Sequence, residues 1–389
     1  MKVALLGPYP VDPRVPAGQP PLPGGVDAVV LALARGLARW PGLELRVITA
    51  VSGLTTPVQV DGGGFLLSCV PRPRGGRLTG QRQVVRNLRQ QIAAFAPDVV
   101  HGHIAGIYAR AALVSGRPAV ITLHGVICRE MQQAWPTSSW PTRLRWLSDA
   151  LFERAVIRRA PEIIAISPYI VAEFHGRTRA RFHGVENPVD DRFFAVKAPP
   201  PGRERLLCVA RLIPRKGILA LVRAFGQLAQ ARPAAILVVV GETETAPDYT
   251  AQCRALAAEL GVAERVEFTG ALSPDAVLAQ YAASDLVLLS SEQETAPVSI
   301  AEAMAIGRAV VATDVGGCAA MVADGVTGHV VPPRDPVALA ATAGALLADP
   351  VRLARMGQAA RAAAEARFRL DAVVEATLAV YRHTLEGKA

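Results

Sequence analysis

Two cations follow a predicted buried strand in the second half of the chain. The segment RLLCVARLIPRKG ends an apolar strand at Ala210 and then offers Arg211 and Lys216 before the next predicted helix. Two cations at the carboxyl end of a strand can neutralise a diphosphate leaving group without a metal ion. Cations beside a loop are also commonly solvated surface residues, so both interpretations stay open. Lysine occurs only four times in the chain, which draws attention to Lys216.

Two glutamates lie eight residues apart in the segment SSEQETAPVSIAEAMAIG. Glu294 is in the loop after the predicted strand Leu286–Ser290, and Glu302 is in the predicted helix Val298–Ile306, which Pro297 opens. The free amides of that first helical turn can bind an anion. A loop carboxylate can accept hydrogen bonds from sugar hydroxyls, and a helix carboxylate can take the paired hydroxyls of a ribose. The alternative is two surface charges, although Glu302 stands among apolar residues.

Two segments of the first half carry weaker signals. Gly24 and Gly25 precede a predicted helix, where glycine lets the backbone approach a phosphate, but turn formation alone also explains a glycine pair. His124 follows a predicted strand, and Gly125 permits a tight bend. A polar residue at the carboxyl end of a parallel strand is well placed to face a ligand, although a lone histidine is more often structural.

Short apolar runs alternate with longer amphipathic segments, which predicts βαβ units and parallel sheets. The fold class is therefore α/β, with two Rossmann-like domains that face a central cleft. Residues 186–204, rich in proline and charge, interrupt the alternation. We expect one domain at residues 1–190, a linker at 191–204, a second domain at 205–365 and a terminal helix at 366–389 that packs back on the first domain.

Composition and motifs exclude several classes of protein. The 389 residues are 51% hydrophobic and 19% charged, which excludes disordered and fibrous proteins. No apolar run reaches the length of a membrane span, and the start is too short for a signal peptide. The five scattered cysteines favour neither a disulfide framework nor a zinc site, so a cytoplasmic location is expected. The motifs of nicotinamide, P-loop, serine hydrolase and Asp-x-Asp metal sites are absent.

The positive charge is concentrated in the first half. Residues 1–195 hold 23 Lys and Arg against 13 Asp and Glu, and the rest hold 19 against 20. Residues 72–89 and 140–159 are arginine-rich, and the latter contains two tryptophans. This predicts contact with an anionic membrane surface or a polyprenyl-diphosphate acceptor. The alternative is ordinary helices with arginine-rich solvent faces, in which Leu144, Leu147, Leu151 and Val156 form a core stripe. No nucleic-acid module is visible, so no nucleic-acid partner is expected.

These segments together resemble the retaining glycosyltransferases of the GT-B fold, family 4 (glycosyltransferase group 1). The resemblance covers nearly the whole chain, and its most specific element is the pair Glu294 and Glu302 followed by AMAIGRAVVATDVGG. One departure is the sequence ETAP, where the family often has EGFG. Pro297 lacks an amide hydrogen, so one phosphate contact is lost or shifts to Val298.

The resemblance implies a role for each motif residue. The implied donor-binding residues are Gly24, Gly25, Arg211, Lys216, Glu294, Pro297, Val298 and Glu302. Arg211 and Lys216 would hold the diphosphate, with Glu302 on the ribose and Glu294 on the donor sugar. The implied catalytic residues are these two cations, Glu294 and His124 near the reacting carbon. His103, Tyr108 and Arg129 are candidate acceptor-side residues, and each is equally open to a structural role.

The implied function is that of a retaining hexosyltransferase. It would move a sugar from a UDP- or GDP-type nucleotide sugar to a hydroxyl of a glycolipid, polyprenyl-linked or oligosaccharide acceptor, with no metal or other cofactor. The same fold also serves nucleotide-sugar epimerases and glycoside phosphorylases. A non-catalytic subunit that binds sugar nucleotides is a third possibility. We expect a cytoplasmic protein, peripheral on the inner face of the membrane if the basic half contacts lipid.

Overall fold

A computed structural model describes residues 1–14, 24–73 and 77–387. The chain forms two compact units, Met1–Pro188 with Leu370–Ala389, and Val189–Arg369. Each unit has a sheet with helices, and all but one of the strand pairings are parallel. The predicted fold class, two α/β domains with parallel sheets, is confirmed.

The first unit contains an eight-stranded sheet of order β3-β4-β2-β1-β5-β6-β7-β8. Its strands are β1 (Lys2–Leu6), β2 (Glu44–Ser52), β3 (Val58–Asp61), β4 (Leu66–Arg72), β5 (Val99–His103), β6 (Ala119–Leu123), β7 (Glu162–Ala165) and β8 (Arg181–Gly184). Among these described strands, β3 and β4 at the edge form the one antiparallel pair. The inner strands β1, from Val3 to Leu6, and β6 are buried because a parallel sheet is covered on both faces.

The described residues of this unit form seven α-helices. They are α1 (Val26–Ala38), α2 (Arg77–Phe95), α3 (Ile107–Leu113), α4 (Ile127–Ala134), α5 (Trp140–Ile157), α6 (Pro168–Phe174) and, from the end of the chain, α15 (Leu370–Glu386). Helix α15 packs on α1, where a β-carbon added at Gly36 would lie 2.6 Å from Val374 and 2.9 Å from Leu370. Its Tyr381 is fully buried in the same core.

The second unit contains a six-stranded parallel sheet of order β11-β10-β9-β12-β13-β14. Its strands are β9 (Arg205–Val209), β10 (Ile236–Val240), β11 (Val266–Gly270), β12 (Leu286–Leu289), β13 (Ala309–Thr313) and β14 (Gly328–Val331). Its helices are α7 (Asp191–Ala195), α8 (Ile218–Ala231), α9 (Pro247–Glu259), α10 (Pro274–Ala283), α11 (Val298–Ile306), α12 (Cys318–Met321), α13 (Pro336–Leu347) and α14 (Pro350–Arg367).

The structure corrects the prediction of a linker at residues 191–204. The chain enters the second unit at Val189, and α7 follows at once. Phe193 and Phe194 of this short helix are 6% and 5% exposed and belong to the core of the second unit. Two buried phenylalanines therefore outweigh the proline and charge that suggested a linker. The chain leaves this unit after Arg369, so the terminal segment begins at 370 rather than 366.

The sheet order decides which loops meet in the second unit. Strands β9 and β12 are direct neighbours, and β13 lies beside β12, although two strands separate β9 from β12 along the chain. The carboxyl ends of these three parallel strands therefore lie side by side, which is where ligands of such sheets bind.

No single helix within the described residues is both long enough and apolar enough to cross a membrane. Helices α13 and α14 meet those criteria only as a pair that bends by 102°.

Candidate active site

The loop after β9 is pressed against the end of β12. Gly217 has φ +63°, and a β-carbon there would lie 2.1 Å from the carbonyl oxygen of Ser290. Only glycine accepts both this backbone conformation and this close approach. The Ser290 hydroxyl donates to the carbonyl oxygen of Lys216 at 3.0 Å. The cation-bearing loop is thus fixed to the strand that leads to Glu294.

Lys216 and Glu294 form an ion pair at this edge of the sheet. The Ser291 hydroxyl donates to the same carboxylate oxygen, Glu294 Oε1, at 2.6 Å. Arg215 Nη1 lies 3.9 Å from the other oxygen, Glu294 Oε2, and donates to the Gln293 carbonyl oxygen at 2.9 Å. Two cations and one carboxylate are therefore held together, and we call Arg215, Lys216, Ser291 and Glu294 the charged cluster.

Glu294 stays ionised in this setting. It is 5% exposed, and burial by itself would raise the pKa of its carboxyl. The charges of Lys216 and Arg215, with the hydrogen bonds from Lys216 and Ser291, outweigh that effect and hold the pKa below its ordinary value. The ammonium of Lys216 has three N–H donors, so its pairing with Glu294 leaves donors for an anionic ligand.

The loop after β13 supports Glu294 from the other side. Gly316 has φ +56°, and a β-carbon there would lie 1.6 Å from the carbonyl oxygen of Glu294. The Thr313 hydroxyl donates to the carbonyl oxygen of Ser291 at 2.6 Å. The backbone around Glu294 is therefore held by the ends of two neighbouring strands.

Glu302 lies on α11 and has a buried partner. The hydroxyl of Tyr281, on α10, donates to Glu302 Oε2 at 2.9 Å. Burial raises the pKa of Glu302 to about 7, although this hydrogen bond acts to lower it. Tyr281 itself is fully buried, so it orients the carboxylate and leaves Oε1 for other donors. This arrangement fits a carboxylate that accepts hydrogen bonds from two neighbouring hydroxyls.

The start of α11 is shaped by Pro297, its N-cap residue, and no side chain in the described ranges caps it. Pro297 has no amide hydrogen, so the first amide of the helix that can face an anion belongs to Val298, which is half-buried. Arg211, at the end of β9, is exposed, and its guanidinium makes no hydrogen bond or ion pair within the described residues.

Three histidines meet at the carboxyl ends of β5 and β6 in the first unit. His103 Nδ1 lies 2.8 Å from His124 Nε2, and the two rings are stacked at 5.1 Å. His101 lies 2.7 Å from the hydroxyl of Tyr381 through Nδ1 and 2.6 Å from that of Thr122 through Nε2. These five side chains form the histidine cluster, and α15 supplies one of them.

The histidine cluster is uncharged at neutral pH. Burial lowers the pKa of His101 and of His124 to about 3, and for His101 the nearby His124 adds to the effect. Burial and the two neighbouring histidines hold the pKa of His103 well below its usual value. His103 Nε2 is buried without a hydrogen-bond partner in the described part of the chain. His124 is half-buried and is the member open to a ligand.

The glycine pair before α1 leaves open space. Both Gly24 and Gly25 are exposed, and a β-carbon at either would meet no described atom within 4 Å. Gly25 has φ +53° and is the N-cap of α1, which has no side-chain cap. Among the described residues, no side chain therefore blocks the approach of an anion to this helix N-terminus.

The three acceptor-side candidates have different surroundings. Tyr108 is 6% exposed, and its hydroxyl accepts the Ala50 amide hydrogen at 3.2 Å. His103 is 1% exposed and contacts His124 rather than solvent. Arg129 is exposed and pairs with Glu173 at 2.8 Å. Burial gives Tyr108 and His103 supporting positions, and only Arg129 is at the surface.

Sequence reasoning missed several members of these clusters. Arg215 is the neighbour of Lys216 in the sequence, so its place in the charged cluster could have been predicted. Tyr281, His101 and Tyr381 gave no signal, because their partners come from other elements. In the part of the chain that the structure describes, no three His, Cys, Asp or Glu side chains are grouped to hold a metal ion.

The fold and the charged cluster define a class of protein, the glycosyltransferases built from two α/β domains. The solved structure of sucrose-phosphate synthase from Thermosynechococcus elongatus has a TM-score of 0.79 at 23% identity and covers 99% of each chain. That of Anabaena Alr3699/HepE in complex with UDP has a TM-score of 0.74 at 22% identity, covering 98% of this chain and 100% of that one. At these identities the likeness shows the fold.

Two family profiles match the chain. "Glycosyltransferase Family 4" matches residues 23–193, and "Glycosyl transferases group 1" matches residues 189–363. A D-inositol 3-phosphate glycosyltransferase of Nocardia farcinica is 30% identical over 94% of this chain and 83% of its own length. One of Segniliparus rotundus is 37% identical over 49% of this chain, and the match spans 42% of that relative. The chain belongs to glycosyltransferase family 4 and has the GT-B fold.

Proposed function

We propose that this glycosyltransferase moves a sugar from a nucleoside-diphosphate sugar to a hydroxyl of a glycolipid, polyprenyl-linked or oligosaccharide acceptor, with retention of the anomeric configuration. The observation that carries the proposal is the charged cluster at the carboxyl ends of β9 and β12. Its fixed cations would stabilise the negative charge that develops on a departing diphosphate. The retention is taken from the family resemblance.

In this proposal each residue of the second unit has one task. Lys216 and Arg211 bind the diphosphate, and Arg215 fixes the carboxylate that holds Lys216. Glu294, which its neighbouring cations keep ionised, accepts hydrogen bonds from hydroxyls of the donor sugar. Glu302, oriented by Tyr281, accepts hydrogen bonds from the ribose hydroxyls. The amide of Val298 replaces the contact that Pro297 cannot make.

The first unit contributes neutral groups. His124 is uncharged and hydrogen-bonds a hydroxyl of the donor sugar, while Gly24 and Gly25 leave room for phosphate at the start of α1. As the diphosphate leaves, positive charge develops at the reacting carbon. A neutral imidazole tolerates this charge, whereas an imidazolium would oppose it. The leaving phosphate oxygen takes the acceptor proton, so the proposal needs no separate base.

The type of nucleotide in the donor and the independence from metal ions are both part of the proposal. A UDP- or GDP-type donor is proposed, and the UDP complex of the Anabaena structure supports trying UDP-sugars first. Metal independence is proposed because the cations of the charged cluster can take the part of a metal ion. The location in the cytoplasm remains a prediction.

The test is acceptor-dependent release of nucleoside diphosphate in the presence of EDTA. A panel of UDP- and GDP-sugars is incubated with membrane lipid extract or oligosaccharides, and the product anomer is assigned by NMR. Release that requires an acceptor, with the donor's anomeric configuration in the product, supports the proposal. Sugar phosphate formed from inorganic phosphate would show a phosphorylase. Release that requires Mg²⁺ or Mn²⁺ would overturn the metal-free mechanism.

A further inference from the structure

Helix α5 exposes an apolar stripe for which the sequence left two interpretations open, contact with a membrane or a place in the core. Trp140, Leu144, Leu147 and Leu151 are 67%, 51%, 42% and 64% exposed. Their spacing of four, three and four residues puts all four on one face of the helix. The alternative of a core stripe is therefore wrong for the three leucines, whereas Val156, the fourth residue of that predicted stripe, is buried. In the described residues, this helix holds half of the large apolar side chains that are exposed.

The same face continues into a basic cavity. Arg154 and Arg158 follow Leu151 at the same helical spacing, so the stripe ends in two cations. Both line a cavity of about 530 Å³ together with Arg177, from the loop after α6. The guanidinium groups of Arg158 and Arg177 make no hydrogen bond or ion pair within the described residues. The cavity is thus a concentration of unneutralised positive charge beside an apolar face.

Among the described residues that line this cavity, one has a carboxylate, and it is directed elsewhere. Glu153 is fully buried, and its oxygens accept the amide hydrogens of Ile127 at 2.8 Å and of Cys128 at 3.4 Å. Burial raises the pKa of Glu153 to about 7, because the two amide hydrogen bonds offset only part of the effect of burial. Glu153 therefore caps the start of α4, and among the described arginines of the cavity only Arg154 acts on its charge, lowering its pKa slightly.

We propose that this region docks on an anionic lipid bilayer. The α5 surface comprises Trp140, Leu144, Leu147, Leu151, Arg154, Arg158 and Arg177. Its apolar part enters the acyl boundary, while its arginines bind the phosphate head groups of lipids in the same leaflet. An apolar stripe flanked by arginines matches the polarity of a bilayer interface, and the positive cavity matches the charge of phosphate.

This docking does not depend on the donor site. One consequence does rest on the proposed function: Cys128, which lines the cavity, lies four residues after His124. A lipid-linked acceptor in the docked membrane would then reach the loop that carries His124.

Co-sedimentation with vesicles tests the proposal. The full-length protein is mixed with phosphatidylcholine vesicles with and without phosphatidylglycerol, at equal total lipid. We expect binding that requires phosphatidylglycerol. Arg154→Gln/Arg158→Gln should weaken it about 25-fold at low salt. Leu147→Gln/Leu151→Gln should weaken it about ten-fold or more. All four side chains are exposed, so thermal unfolding should be unchanged.

Matched controls come from the second unit. Val337→Gln/Val351→Gln changes two exposed apolar residues, and Arg223→Gln/Arg355→Gln changes two exposed arginines. Neither should alter vesicle binding. Equal loss in the controls, or no binding to phosphatidylglycerol, would overturn the proposal. So would sedimentation equilibrium that shows self-association abolished by the leucine pair, because the stripe would then be an interface between copies of the chain.

Discussion

The charged cluster and the histidine cluster both contain buried ionisable side chains, but they differ in whether those side chains are charged. Both collect ionisable side chains at the carboxyl ends of neighbouring parallel strands. In the second unit, Glu294 keeps its charge because Lys216 and Arg215 compensate its burial. In the first unit, burial without a counter-charge keeps His101 and His124 neutral. One edge therefore presents fixed charge, and the other presents uncharged hydrogen-bonding groups.

The difference matches two kinds of ligand group. A diphosphate gains negative charge when the glycosidic bond breaks, so fixed cations stabilise the transition state more than the ground state. A sugar hydroxyl stays neutral and needs a donor or acceptor of defined direction. The comparison predicts that variants of the two clusters will differ in both the size and the kind of their effects.

The largest effect is expected at Lys216. Lys216→Met removes the cation and should lower kcat/KM by about 10³-fold. It also leaves Glu294 buried without its main partner, which should reduce the free energy of unfolding by about 3–5 kcal/mol. Lys197→Met, which changes an exposed lysine of the same unit, should change neither quantity. Steady-state kinetics and denaturant unfolding measure the two effects.

A double variant separates charge from stability at this site. Lys216→Met/Glu294→Gln removes both charges and should regain much of the lost stability, because no uncompensated charge stays buried. Activity should remain as low as in the single variant. Recovery of activity in the double variant would show that Lys216 serves the fold alone.

The next effect is expected at His124. His124→Asn should lower kcat about 30-fold, which corresponds to about 2 kcal/mol of transition-state stabilisation. Because a neutral group contacts the sugar, the affinity for the nucleoside diphosphate alone should be unchanged, whereas Lys216→Met should weaken it strongly. Calorimetric titration with the diphosphate measures this contrast. Equal losses of diphosphate affinity in both variants would remove the distinction between the clusters.

Acidification should destabilise the first unit through its histidines. The pKa of His101 is about 3 in the folded chain and 6.5 ordinarily, so its contribution to stability is complete above pH 6.5 and is lost as the pH falls towards 3. At pH 5 the loss is about 2 kcal/mol. All four tryptophans lie in residues 1–188, so tryptophan fluorescence follows the unfolding of this unit.

Glu153 opposes this effect and provides the control. Its pKa is raised to about 7, so protonation between pH 7 and 4.5 favours the folded state. Glu153→Gln removes that gain and should steepen the loss of stability on acidification, whereas His101→Gln should flatten it. The same pH dependence in both variants would contradict the assignment of neutral histidines.

The smallest effect is expected at Tyr281. Tyr281→Phe removes the donor to Glu302 and should weaken nucleotide binding about five-fold, which corresponds to about 1 kcal/mol. Tyr249→Phe, in the same unit, removes a hydroxyl that accepts the Leu219 amide hydrogen, and should leave nucleotide affinity unchanged. Titration calorimetry compares them, and a weaker affinity in both would assign Tyr281 to packing.

Much of the fold was predictable because parallel sheets have a simple pattern. Runs such as ILVVV and LVLL are apolar throughout, and Pro297 and Gly307 mark the start and end of α11. The missed elements are short and at sheet edges, such as β3 and β8, or are helices of seven and eight residues, such as α3 and α4. Such segments are too short for periodicity to show.

The site was predictable residue by residue but not in its contacts. Lys216 and Glu294 are 78 residues apart, and only the order of β9 and β12 in the sheet brings them together. Likewise, the Tyr381 contact with His101 depends on the return of α15 to the first unit. The stripe on α5 shows a different limit of prediction from sequence. Its periodicity fixed which residues share a face, but not whether that face is buried.

Thermal stabilisation by nucleotides without metal tests the central claim most directly. UDP, GDP, ADP, CMP, NAD and inorganic phosphate are compared on the unmodified protein, Lys216→Met and Lys197→Met, with EDTA present. A ligand at about 100 times its Kd adds about 2.7 kcal/mol to the free energy of unfolding. We predict that one nucleoside diphosphate stabilises the unmodified protein and Lys197→Met but not Lys216→Met. Equal stabilisation of all three, or none by any nucleotide, would contradict the account.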